Sequence, residues 1–122
     1  MKLLLIDDAD AVRLRLADAL REIKGLDVSS CAPHAAGTIQ LILERKPDVV
    51  VIDIRMPGGA LALLRSIKSS RHPPIVIALS SSSGIQYRAA CHNAGAEYFF
   101  DKVRDQARLV EAVMELQKEL AC

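Results

Sequence analysis

Asp48-Val49-Val50-Val51-Ile52-Asp53 is the stretch that decides the fold. Four β-branched residues follow one another with no polar break, so both faces of this strand must be buried. An antiparallel strand with one wet face would alternate instead, and a continuous apolar run bounded by acids reads as a central strand of a parallel sheet. Parallel strands need crossover connections, usually helices, and the flanking sequence supplies them.

On both sides of this strand, strand-like and helix-like segments alternate. Leu3 to Ile6 is a first apolar run. Ala9 to Ile23 places Val12, Leu16, Ala19, Leu20 and Ile23 on one helical face, and Gly25 stops it. Asp27 to Cys31 is a weaker strand. Pro33 opens a helix whose expected buried face is Ala36, Ile39, Ile42 and Leu43, ended by Lys46-Pro47.

Beyond the central strand, Met56-Pro57-Gly58-Gly59 is a loop, and Ala60 to Lys68 reads as a short helix with Leu61, Leu64 and Ile67 inward. Ile75 to Leu79 is a further buried strand, Ser80 to Gly84 a loop, and Ile85 to Ala94 a helix stopped by Gly95. Tyr98-Phe99-Phe100 is the last strand. Asp105 to Leu120 closes the chain as a helix, with Leu109, Val113, Leu116 and Leu120 at helical spacing. Five βα units with right-handed crossovers give an α/β doubly wound sandwich of flavodoxin-like (βα)5 type, with a five-stranded parallel sheet.

The composition agrees. The chain has 122 residues, enough for one domain, residues 1–122, with no second, output domain. It is 51% hydrophobic but only 3% aromatic, so aliphatic side chains must fill the core. A net charge of +1 without a basic tract gives no reason to expect direct nucleic-acid binding. The apolar runs fall far short of the roughly 20 residues that span a membrane. The leading Met1 to Ile6 segment is interrupted by Asp7, Asp8 and Asp10, which is not a signal-peptide pattern. Cys31, Cys91 and Cys122 are odd in number and have no C-x-x-C spacing, so a reduced, cytoplasmic setting is expected.

Ligands of open α/β sheets bind at the carboxyl ends of the strands. Asp7 and Asp8 follow the first strand, Asp53 ends the third, Ser80 follows the fourth and Lys102 the fifth. Three converging carboxylates repel, and a divalent cation relieves that repulsion. Mg²⁺ suits such an oxygen-donor set. A carboxylate can also act as a nucleophile and form an acyl phosphate, with metal and lysine offsetting the charge on the transferring group.

This constellation resembles that of bacterial two-component response regulator receiver domains. The matching stretches are Leu4-Leu5-Ile6-Asp7-Asp8, Val50 through Pro57, Val76-Ile77-Ala78-Leu79-Ser80 and Gly95 through Lys102. Each is weak alone; their order and spacing across nearly the whole chain make the match specific. The resemblance implies a phosphorylation switch. Asp53 would be the phosphoacceptor, Asp8 a direct Mg²⁺ ligand, Asp7 a ligand through water and the Arg55 carbonyl a further ligand. Ser80 would be the switch hydroxyl, Lys102 the lysine paired with the phosphoryl group and Phe99 the switch aromatic. The implied partners are a sensor histidine kinase or phosphotransfer protein, and a downstream protein.

Each residue also has an ordinary reading. Asp7 and Asp8, like Asp10, are placed to cap the first helix. Asp53 could be a turn residue, and Ser80 one of a loop of four serines, with Ser81 an alternative to it. Lys102 could be a surface lysine. Phe99 should face away from Tyr98 and Phe100, and core packing alone explains at least one of the three. His34, His72 and His92 stand on separate elements without ligand spacing.

Two features depart from the family. Lys102 is followed by Val103 rather than the usual proline, as in a subset of mostly stand-alone receivers, and the loop after Pro57 is one residue short. The Arg55 side chain would lie near the phosphoryl group and could affect the lifetime of the acyl phosphate. A receiver-like module that binds its partner without phosphorylation remains an alternative. A flavodoxin-like nucleotide or flavin binder is disfavoured, because Asp7-Asp8 stands where a Gly-rich phosphate loop would be.

Overall fold

The computed structural model describes residues 1–31, 35–54, 59–81 and 87–121. Five strands and five helices alternate along them: β1 (Lys2–Ile6), α1 (Asp10–Arg21), β2 (Asp27–Cys31), α2 (Ala35–Arg45), β3 (Val49–Asp53), α3 (Ala60–Lys68), β4 (Ile75–Ser80), α4 (Arg88–Asn93), β5 (Tyr98–Asp101) and α5 (Gln106–Ala121). The strands form one parallel sheet in the order β2-β1-β3-β4-β5. This is the doubly wound, flavodoxin-like arrangement expected from the alternation.

Every residue of β3 is buried, as its unbroken apolar run requires. Alternate side chains then feed two separate cores. Leu4, Ile6, Val50, Ile52, Val76 and Ala78 pack with residues of α2, α3 and α4. Leu3, Leu5, Val49, Val51, Ile77 and Leu79 pack on the other face with Leu16 and Leu20 of α1 and Leu109, Val113 and Leu116 of α5. Each fully buried Leu or Ile contributes about 1.5–3 kcal/mol by leaving water.

The helix faces depart from simple periodicity at their ends. Leu43 and Leu120 are not inward but 60% and 50% exposed. Both lie in the last turn of their helix. Leu63 is buried while Leu61 is only half-buried, and Ala60 joins the inner face of α3. Helix α1 ends at Arg21, and Ile23 is buried from the following turn. Pro33, the Ala36 side chain, and residues 55–58 and 82–86, Ile85 among them, lie outside the described residues.

Gly95 does end the α4 segment, with a φ of 107° that favours glycine. A Cβ there would lie 2.9 Å from Lys68 Cγ. That lysine is committed to Glu97 at 2.8 Å and to the Pro74 carbonyl at 2.9 Å.

Candidate functional site

The carboxyl ends of β1, β3, β4 and β5 meet at one edge of the sheet. Register and backbone bonds place the side chains there. Asp53 pairs with Leu79, and Ser80 with Asp101. The Lys102 N–H then donates to the Ser80 carbonyl at 2.9 Å, which holds the residue after β5 against the end of β4.

Four of the expected site residues are buried although polar: Asp7, Asp53, Ser80 and Lys102. Lys102 Nζ lies 2.9 Å from Asp53 Oδ2 and 3.4 Å from Asp7 Oδ2. Asp8 is exposed and faces the same cluster from the solvent side. One oxygen from each of Asp7, Asp8 and Asp53 falls within 4.8 Å of the others. This compact set of hard oxygen donors fits Mg²⁺, which takes carboxylates and keeps waters. The Arg55 carbonyl lies outside the described residues.

The electrostatics follow from burial and charge. Burial pushes the Asp7 carboxyl above its ordinary value, and Asp53 adds to the push; the Ala9 N–H and Lys102 oppose it. Burial by itself would lower the Lys102 ammonium, but hydrogen bonding and charge from Asp53 and Asp7 outweigh it and raise the ammonium. The cluster is therefore a strained set of acids held by one cation.

The capping reading of the acids is met only in part. Asp7 Oδ1 accepts the Ala9 N–H at 2.9 Å, while the N-cap position of α1 is Ala9, with no side-chain cap. Asp10 instead pairs with Arg13 at 2.7 Å. Ser80 Oγ donates to the Ser81 carbonyl at 3.1 Å. Phe99 packs on one face of the sheet while Tyr98 and Phe100 pack on the other, stacked at 6.0 Å. The guanidinium of Arg88 sits 5.1 Å from the centre of the Phe99 ring. His72 and His92 are exposed and apart from the cluster.

Three supporting groups were not foreseen from the sequence. Arg13 Nη1 donates to the Asp7 carbonyl at 2.8 Å and so ties α1 to the acidic loop. Asp101 Oδ1 accepts the Val103 and Arg104 N–H groups at 2.9 and 2.8 Å. Asp105 Oδ2 in turn accepts the Asp101 N–H at 2.9 Å. With the Asp105 N–H on the Asp101 carbonyl at 2.9 Å, these bonds close the turn that carries Lys102 without a proline, and no peptide bond among the described residues is cis. An acid at each end of a five-residue turn before an apolar helix was the available signal.

Residues 3–114 match the response regulator receiver domain family. The chain belongs to that family. Receiver domains are phosphorylation-dependent signalling switches of two-component systems. They are generally Mg²⁺-dependent and work with histidine kinases and downstream partners.

The receiver is 34% identical over 115 residues to response regulator GacA of Pseudomonas syringae pv. syringae, covering 93% of this chain and 53% of that protein. It is 32% identical to protein-glutamate methylesterase/protein-glutamine glutaminase 1 of Chromobacterium violaceum, covering 98% of this chain and 34% of that protein. The receiver thus spans about half, or a third, of the length of these relatives. Among solved structures, a LuxR-family two-component response regulator from Aurantimonas superposes with a TM-score of 0.84 at 27% identity, covering 94% of this chain and 83% of that one. The receiver domain of a DNA binding response regulator (merR) from Colwellia psychrerythraea, 23% identical and covering 97% of this chain and 98% of that one, shares the fold with a TM-score of 0.87. No helix among the described residues is long and apolar enough to cross a membrane.

Proposed function

We propose that this receiver takes a phosphoryl group onto Asp53 from the phosphohistidine of a sensor histidine kinase or phosphotransfer protein. A carboxylate oxygen of Asp53 forms the new O–P bond while the P–N bond to the donor imidazole breaks, giving an aspartyl phosphate and a free histidine. Mg²⁺ held by Asp7, Asp8, Asp53 and the Arg55 carbonyl would offset charge on the phosphoryl oxygens. Lys102 contributes a fixed positive charge beside the acceptor. Ser80 and Phe99 then carry the change to the surface, where a downstream cytoplasmic protein reads it as a population shift.

The observation that carries this reading is the 2.9 Å contact between Lys102 Nζ and Asp53 Oδ2, inside a cluster of three carboxylates. A turn residue or a surface lysine would have no reason to be buried there together.

Incubation with acetyl phosphate and Mg²⁺, followed by intact mass measurement, tests it. A phosphoryl adduct on the wild type and none on Asp53→Asn is expected. An adduct that persists in the variant places the acceptor elsewhere. No adduct with any phosphodonor favours a module that binds without phosphorylation.

A further inference from the structure

A groove of about 560 Å³ opens at the amino ends of β3 and β4, the end of the sheet opposite Asp53. We propose that it is a docking surface for an acidic, aliphatic-anchored segment of a partner protein. The proposal does not depend on phosphorylation of Asp53.

The floor is apolar: Ile42 of α2, Ile67 of α3 and Pro74 before β4 line it, all buried. Its edges carry Leu43 and Leu120, 60% and 50% exposed. Two of the largest exposed apolar side chains of the receiver therefore border one concavity rather than lying scattered, which is the pattern of an interaction site.

The charge around this floor is mixed but mostly positive, with Lys46 and Arg71 against Asp48. Lys46, Arg71 and His72 line the groove and are exposed, and their side chains make no ion pair among the described residues. Asp48, the acidic residue of the lining, already accepts the Lys2 N–H at 2.8 Å. Lys46 adopts a φ of 49° just past the end of α2, a position and conformation that favour glycine. A cationic side chain stands there against the preference of the backbone.

These observations select among occupants. A second copy of the chain would bring Lys46 and Arg71 against their own equivalents, a like-charge contact. Nucleic acid would gain little from a floor of isoleucine and proline. A peptide with leucine- or isoleucine-type anchors and flanking carboxylates satisfies both the floor and the rim, as in recognition of an amphipathic segment in an apolar groove.

Selection of a random-sequence peptide library displayed on phage against the whole chain tests this. The expected peptides combine Asp or Glu with Leu, Ile, Val or Phe. Their affinity should fall at least tenfold on Arg71→Glu and on Leu43→Ser, with far-ultraviolet circular dichroism and acetyl phosphate labelling unchanged. In amide NMR spectra the selected peptide should shift signals in residues 39–48 and 66–75. The proposal is overturned if no peptide is selected, if the selected peptides lack acids, or if both variants bind them as well as the wild type. It is also overturned if sedimentation shows self-association that Leu43→Ser abolishes, since the groove would then belong to a second copy.

Discussion

Lys102 and Asp53 are 49 residues apart in the chain, yet their side chains meet at 2.9 Å in a buried site. The same ammonium reaches Asp7 at 3.4 Å, so a single cation serves two buried acids. Charge balance at this edge of the sheet rests on it.

Removing that cation should affect both chemistry and stability. Lys102→Ala is expected to slow acetyl phosphate labelling on the order of a hundredfold. In Mg²⁺-free buffer at pH 7 it should also destabilise the fold by roughly 1–3 kcal/mol, because two buried carboxylates lose their partner. Asp7 sits above its ordinary value of 3.8, so its contribution to stability is full below pH 3.8 and is lost as pH rises through the raised folded value. Without Lys102 that folded value rises further. The deficit of the variant should therefore shrink as pH is lowered from 7 toward the unfolded value of 3.8 in urea denaturation, and a deficit that stays constant over that whole fall would contradict the assignment. Lys102 itself, raised above 10.5, contributes stability below pH 10.5 that is lost as pH climbs past its folded value.

Asp101 should matter through the turn it closes. Two backbone N–H groups, of Arg104 and Val103, hold its carboxyl below the ordinary value. A depressed acid contributes stability above its unfolded value of 3.8, lost as pH falls through the lower folded value. Asp101→Ala should cost about 1 kcal/mol at pH 7, as for loss of a helix cap, and the difference from wild type should vanish toward pH 2. Acetyl phosphate labelling should slow as well, because the turn positions Lys102. Labelling at the wild-type rate would show that the turn is not needed to hold the lysine.

Arg88 lies over the Phe99 ring at 5.1 Å and should hold it in its half-buried position. Arg88→Ala is expected to cost under about 1 kcal/mol in stability, the range of an exposed cation–π contact. The informative readout is NMR of the Phe99 ring with and without acetyl phosphate. Loss of Arg88 should move the unphosphorylated ring signals toward those of the phosphorylated protein. Unchanged ring signals would remove Arg88 from the switch.

The thiols should separate by burial. Cys91 is fully buried and Cys31 half-buried, and burial pushes both thiols above the ordinary value, with Arg13 and Arg45 partly offsetting it at Cys31. In single-cysteine variants at pH 8, Cys91 should react with a thiol-exchange reagent at least on the order of tenfold more slowly than Cys31, and equally fast in urea. Equal rates in the folded protein would mean that the α4 segment opens readily.

Much of the architecture was legible in the chain because burial on both faces leaves a direct trace. Val49 to Ile52 could only be a central strand, and the βα alternation around it then determined the doubly wound class. Asp7, Asp8, Asp53, Ser80 and Lys102 were legible for the same reason, since the ends of parallel strands all point to one edge. Helix ends were less so: Leu43 and Leu120 fit the apolar period, but the period alone cannot tell which residues of a last turn a neighbouring element covers.

The βα alternation and the residues that follow each strand were written in the chain, because local hydrophobic pattern is a property of neighbouring residues. The strand order, the reach of Lys102 to Asp53 and Asp7, the closing of its turn by Asp101 and Asp105 without proline, and the grip of Arg13 on the Asp7 carbonyl emerge from the folded chain. Those rest on contacts at hydrogen-bond range between segments remote in sequence or between a side chain and a backbone atom, and no periodicity encodes them.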